Sequence, residues 1–165
     1  MSKVLVVCRE MFLARGYTLL SEQANERGYM IKGRTQQGRV VWACILPPEG
    51  KFNIEMLKSY YAYFESRHIK HVILVYNDGM TPSVRKAIHD LPMRVELFEY
   101  RELMYNLLKH ELVPKHVVVG HEPNNTSKLP FLSRNDPVAR FLAFRSGDIV
   151  RIDRSDGSVY FRYVR

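Results

Sequence analysis

Cysteine is scarce in this chain. Cys8 and Cys44 are far apart and neither sits in a CxxC pair. That excludes a disulfide framework and a thiolate metal site, and each reads as a free thiol buried in an apolar segment. Long apolar runs are also missing, and none approaches the roughly 20 residues a membrane span needs. The start, MSKVLVVCREMF, has a short apolar patch, but Arg9 and Glu10 interrupt it and no cleavage pattern follows. The expectation is a soluble intracellular protein. His68-x-x-His71 lacks Cys partners and reads as surface and strand polarity, not a zinc ligand pair. There is no glycine-rich phosphate loop, nucleophile elbow or HExxH. No acidic residue occurs between Glu26 and Glu49.

What is present is enough for a core. The 165 residues allow one domain or two small ones, and 46% hydrophobic with 12% aromatic residues excludes wholesale disorder. The net charge of +8 favours a polyanionic neighbour, nucleic acid or an acidic protein surface. No internal repeat or low-complexity tract interrupts the chain.

Periodicity gives the order of elements. Ser2 caps a helix through Arg15, with Val4, Cys8 and Met11 at helical spacing, and Gly16 ends it. Residues 17–27 are polar and mixed, with room for a second short helix. Tyr29 to Arg34 and Arg39 to Leu46 read as strands joined at Gln36-Gln37-Gly38. Asn53 caps a helix from Ile54 to Arg67, whose Met56, Leu57, Tyr60, Tyr61 and Phe64 form a stripe read as core packing. HVILVY, His71 to Tyr76, is a continuous apolar run and so an interior strand. The turn Asn77-Asp78-Gly79 leads to Thr81, which caps a helix from Pro82 to about Asp90. Pro92 breaks it, Met93 to Phe98 is a strand, and Glu99 to Leu108 a further helix. The first 110 residues therefore form an α/β domain around a small sheet. Residues 111–165 form a second, α+β domain.

Its tail reads DPVARFLAFRSGDIVRIDRSDGSVYFRYVR. Asp136 is a good N-cap and Pro137 fits the first helical position. Val138 to Phe144 give about two turns, and Gly147 lies where the chain must leave the helix. Asp148 to Arg154 alternates, with Val150 and Ile152 on one side. Asp156-Gly157 signals a two-residue hairpin, and Val159, Phe161 and Tyr163 are expected on the apolar side of the returning strand. Gly120 to Lys128 is polar and read as a loop only.

Those motifs carry a resemblance. DPVARF, RxGDIVRI, HELVPKHVVV at His110 to Val119 and GMTPS at Gly79 to Ser83 resemble the shared fifth subunit of eukaryotic nuclear RNA polymerases and its shorter archaeal counterpart. Arg-Gly-Tyr at 15–17 matches more weakly. The archaeal form consists of the rear module alone, so a chain with a front domain is similar to the eukaryotic or large-DNA-virus form. The short 120–128 loop, where other members carry a helix-forming insertion, favours the viral form.

The resemblance implies a non-catalytic subunit of a DNA-directed RNA polymerase. It would act in assembly, and its front jaw domain, nuclease-like in topology without an active site, would face downstream DNA. Thr81, Pro82, Ser83 and Arg85 would face the DNA backbone. Pro114, His116, Asp136, Pro137, Arg140, Arg145 and Gly147 would serve assembly. The implied partners are the largest polymerase subunit, other polymerase subunits and downstream duplex, held weakly and without sequence preference; no membrane, metal or cofactor is implied. The place of work is the nucleus if the owner is cellular, and the virion or viral factory if viral. A free-standing basic nucleic-acid-binding or adaptor protein is the alternative. Such a binder is expected to carry a zinc finger, helix-turn-helix or aromatic RNP stretch, and none is found. Nuclease chemistry would need Mg²⁺ held by an Asp and a Glu-x-Lys pair on the hairpin. The second strand there reads Val40-Val41-Trp42-Ala43-Cys44, without carboxylates.

Overall fold

In a computed structural model of the chain, residues 3–49, 52–77 and 79–165 are described. The caps assigned to Ser2 and the turn residue Asp78 lie outside them. The chain divides into two compact units, Met1–Tyr105 and Asn106–Arg165.

The front unit runs α1 (Lys3–Ala14), β1 (Thr18–Asn25), β2 (Gly28–Arg34), β3 (Val40–Ile45), α2 (Ile54–Ser66), β4 (His71–Tyr76), α3 (Pro82–His89) and β5 (Arg94–Glu99). Its sheet is ordered β1-β2-β3-β4-β5. The first three strands are antiparallel, and β3, β4 and β5 are parallel, as the helical crossovers α2 and α3 require. Helices cover both faces. On one, the Phe12 ring of α1 packs so close to Gly33 that a Cβ there would lie 2.6 Å from it. On the other, Leu57, Tyr60 and Phe64 of α2 and Val84 and Ile88 of α3 pack on Met30, Cys44, Val72 and Leu74. HVILVY is interior as expected, with five of its residues buried. Cys8 and Cys44 are free and buried, and burial pushes both thiols up to about 12.

Two expectations fail here. Residues 17–27 hold no helix: β1 pairs with β2 through the turn before Gly28, whose φ is +116°. A register shift between Leu19 and Ser21 breaks the alternation that would have marked β1 as a strand. The helix expected over Glu99 to Leu108 is two 3₁₀ turns, Tyr100–Leu103 in the front unit and Leu107–Lys109 in the rear. Buried Asn106 is the reason, since its side chain accepts from the Leu108 amide at 3.0 Å and starts a separate turn. His71 is also more than strand polarity. With Arg15 and Arg94 it surrounds Glu96, at 2.6, 2.8 and 3.0 Å.

The rear unit holds β6 (Lys115–His121), β7 (Phe131–Leu132), α4 (Pro137–Phe141), β8 (Asp148–Asp153) and β9 (Val159–Val164). The sheet order is β6-β8-β9-β7, antiparallel except for β7 with β9. Val150, Ile152 and Val164 form the buried cluster, with Leu132 and Phe144 against it. Residues 122–130 are a loop, as read, while β6 extends through Gly120 and His121.

The tail departs from expectation at the end of α4 and at the β8–β9 turn. α4 ends earlier than read, and Ala143, at φ +57°, not Gly147, turns the chain out of it. The Ala143 amide bonds Arg140 O and the Phe144 amide bonds Ala139 O, at 3.1 and 2.9 Å, which is a Schellman ending. The β8–β9 turn has three residues, not two. Arg154 N donates to Ser158 O, Gly157 N donates to Arg154 O, and only Gly157 has positive φ. Counting one extra turn residue flips the parity of β9. Ile152 therefore faces Tyr160 and Val150 faces Arg162, and Val159 and Phe161 are 50% and 45% exposed, whereas Tyr163 is buried as expected, edge-on to the Phe131 ring.

Candidate subunit and nucleic-acid interface

The loop before α3 is built as a helix start. Gly79 bends at φ +97°, Thr81 is the N-cap with its Oγ1 accepting from the Val84 amide at 3.4 Å, and Pro82 takes the first turn. Thr81, Pro82, Ser83 and Arg85 are all exposed, whereas Met80 and Val84 anchor the loop in the core. Ser83 Oγ lies 2.9 Å from Thr81 Oγ1, so the two hydroxyls share a hydrogen bond. Arg85 is less available than its position suggests. Its Nη2 donates to Tyr76 Oη at 2.8 Å and lies 3.6 Å from Glu99 Oε1. Tyr76 Oη in turn donates to the same Glu99 oxygen at 3.2 Å. Burial is the main cause holding the Tyr76 phenol above its ordinary value, with Glu99 adding and Arg85 opposing. Lys86, one residue on, is exposed and belongs to the same helical turn.

The other predicted residues lie in the rear unit. Asp136 caps α4 with Oδ1, which accepts from the Val138 and Ala139 amides at 2.8 and 3.2 Å, and Pro137 follows at the first position. Arg140, half-buried, stands one turn in. Arg145 and Gly147 belong to the tight turn into β8. Gly147 is buried at φ +94°, donates to Val164 O at 3.0 Å, and accepts from the Glu122 amide at 2.8 Å. A Cβ at Gly147 would meet Glu122 O at 2.7 Å and the His121 ring at 2.6 Å. Pro114 and His116 are brought together, since His116 Nδ1 lies 2.8 Å from Pro114 O. Pro114 also lines an open cleft of about 500 Å³ between residues 111–115 and the turn at Asp153–Asp156.

One organising residue was missed. Asp148, 9% exposed, accepts from the Arg145 amide with Oδ2 at 2.7 Å, while its own amide donates to Arg145 O. Its Oδ1 lies 3.0 Å from His121 Nδ1, which ties the turn to the end of β6. The signal was available: an Asp directly after a glycine turn is placed to close that turn with its side chain. Among the described residues no group of three His, Cys, Asp or Glu is arranged to hold a metal.

The capped helix, the Arg145–Asp148 turn and the hairpin all fall within a stretch that matches known proteins. The family model described as RNA polymerase Rpb5, C-terminal domain, matches residues 105–164. The chain is 35% identical over 119 residues to DNA-directed RNA polymerases I, II, and III subunit RPABC1 of Caenorhabditis elegans, covering 66% of this chain and 56% of that protein. It is 29% identical over 121 residues to the protein of the same description from Dictyostelium discoideum, covering 66% of this chain and 61% of that one. The chain thus spans somewhat over half the length of these relatives. A solved structure titled "Structure of EndoMS in apo form" aligns at TM-score 0.41 and 17% identity, over 60% of this chain and 47% of that one. That likeness is too slight to bear on fold or function.

Proposed function

We propose that this protein is a non-catalytic subunit of a multi-subunit DNA-directed RNA polymerase. The Rpb5-type rear unit, with its Asp136-capped helix and the Asp148-closed turn, carries the reading. The rear unit docks onto the largest polymerase subunit and its neighbours, and the front unit is a wall of the downstream DNA channel. The relatives come from cellular eukaryotes, which favours a nuclear polymerase over a virus-encoded one. The front unit's order of helix, antiparallel three-strand meander, helix and parallel strand supports the nuclease-like jaw topology. β2 and β3 offer a metal no carboxylate, so the fold is used there as a scaffold.

Assembly is tested by Asp136→Ala combined with Arg140→Ala. Loss of the cap costs about 1 kcal/mol, too little to unfold a domain. The double variant is expected to stay folded and drop out of polymerase purified from its native source; normal co-purification refutes the docking role. The jaw role is tested by a photoreactive residue at Ser83 in an assembled elongation complex. Outward amides at the α3 N-terminus, the Ser83 hydroxyl and Lys86 suit a phosphate backbone. Adducts on downstream duplex are expected, and adducts on protein alone would make the loop a helix cap only. Purified protein with Mg²⁺ or Mn²⁺ is expected to leave DNA uncut.

A further inference from the structure

The cations of the front unit divide into those that meet carboxylates and those that do not. Arg9, Arg15, Arg85 and Arg94 all meet carboxylates. Among the described residues Arg27, Lys32, Arg34 and Arg67 make no ion pair, and Arg27 Nε is buried without a hydrogen-bond partner. The register explains where they point. Lys32 faces Ser21 on one side and Trp42 on the other; Arg34 faces Thr18 and Val40; Met30 faces Gln23 and Cys44. Alternation puts these side chains on one face, the same face that α2 covers farther along through Met30 and Cys44. Glu22, the carboxylate of β1, is on the opposite face, where Arg9 of α1 and Tyr29 hold it. The β1–β3 face beyond α2 is therefore free of acids.

Its details suit phosphate better than protein. Thr18, Ser21 and Gln23 are exposed hydroxyl and amide donors beside the cations. Its two rings already carry cations instead of standing open as anchors for a protein partner. Lys32 Nζ lies 5.5 Å from the Trp42 ring centre. On the α2 margin Tyr63 carries Arg27 and Arg67, at 5.0 and 3.9 Å. Stacking fixes each guanidinium while its edge N–H groups remain available to an anion. We propose that this acid-free face of β1–β3, with Arg27 and Arg67 at its margin, binds the phosphodiester backbone of duplex DNA, at a site separate from the Thr81–Arg85 loop. It does not rest on membership of a polymerase.

The test titrates the full chain with a short fluorescent duplex at several salt concentrations, reading anisotropy and the emission of Trp42, the single tryptophan. Lys32→Gln with Arg34→Gln and Arg67→Gln should weaken binding at least tenfold at low salt. The log–log salt slope should flatten by about 0.9 for each phosphate that is no longer neutralised. Duplex should alter Trp42 emission in the wild type, and the triple variant should lose that change. If the triple variant unfolds, the exposed pair Arg34→Gln with Arg67→Gln replaces it. The proposal is overturned by no binding at low salt, by an unchanged slope in a folded variant, or by a Trp42 signal that the duplex leaves unmoved. Displacement of the duplex by an acidic polypeptide at equal charge would assign the face to a protein partner and overturn it too.

Discussion

Gly147 and Ala143 sit four residues apart in left-handed backbone, and chemistry separates them. At Gly147 a methyl group would press on the Glu122 carbonyl and the His121 ring, beyond the strain of its φ of +94°. Gly147→Ala is expected to cost about 2–4 kcal/mol, combining backbone strain with a clash that only backbone movement relieves. Ala143 already carries its methyl at φ +57° as the turning residue of the Schellman ending. Ala143→Gly should stabilise by about 0.5 kcal/mol, the relieved strain slightly exceeding the added freedom of the unfolded chain. Urea midpoints of the two variants check both signs, and a Gly147→Ala midpoint equal to wild type would rule out the turn as a backbone requirement.

Elements were legible wherever side-chain pattern and turn chemistry agreed. HVILVY, the Asn53 and Thr81 caps and the Gln36–Gly38 hairpin follow from residues whose local preference matches their final environment. β1 was not legible, because TLLSEQAN is exposed on one face and carries a bulge that erases its period. The 3₁₀ turns escaped because Asn106 acts through a hydrogen bond that periodicity does not report. The DPVARF and RxGDIVRI motifs were visible in sequence, but Asp148 as the closure of the turn needed the geometry. The β8–β9 hairpin gives a test of register. Arg154 already pairs with Ser158, so deleting Ser155 leaves Asp156-Gly157 as a two-residue loop with the same partners. Such a loop matches the twist of the strands. The deletion should keep the fold and change stability by no more than about 1 kcal/mol. Loss of cooperative unfolding would show that register depends on the three-residue turn.

Across the whole molecule the two units differ in how they hold their carboxylates, and acid should tell them apart. In the front unit Glu96 is buried, which by itself raises its pKa. The His71 hydrogen bond together with Arg15 and Arg94 outweighs that and holds it down to about 2, against an ordinary value of 4.5. A depressed carboxylate stabilises the fold fully above its unfolded value, and the contribution is lost as pH falls from 4.5 toward 2. At about 1.4 kcal/mol per pH unit of separation this amounts to a few kcal/mol. The lowered carboxylates of the rear unit, Glu122 and Asp156, are exposed and bonded to neighbouring Thr and Ser groups, so their protonation removes only local turn interactions. Trp42 reports the front unit, and the methyl resonances of Val150 and Val164 report the rear core. Between pH 5 and pH 2.5 the urea midpoint seen by Trp42 should fall steeply, while the midpoint seen by those methyls falls less. Glu96→Gln should lower the Trp42 midpoint at neutral pH and flatten its decline in acid, because the group whose protonation is being read is gone. An equally steep decline in that variant would move the acid sensitivity of the front unit away from Glu96 and its three cationic neighbours.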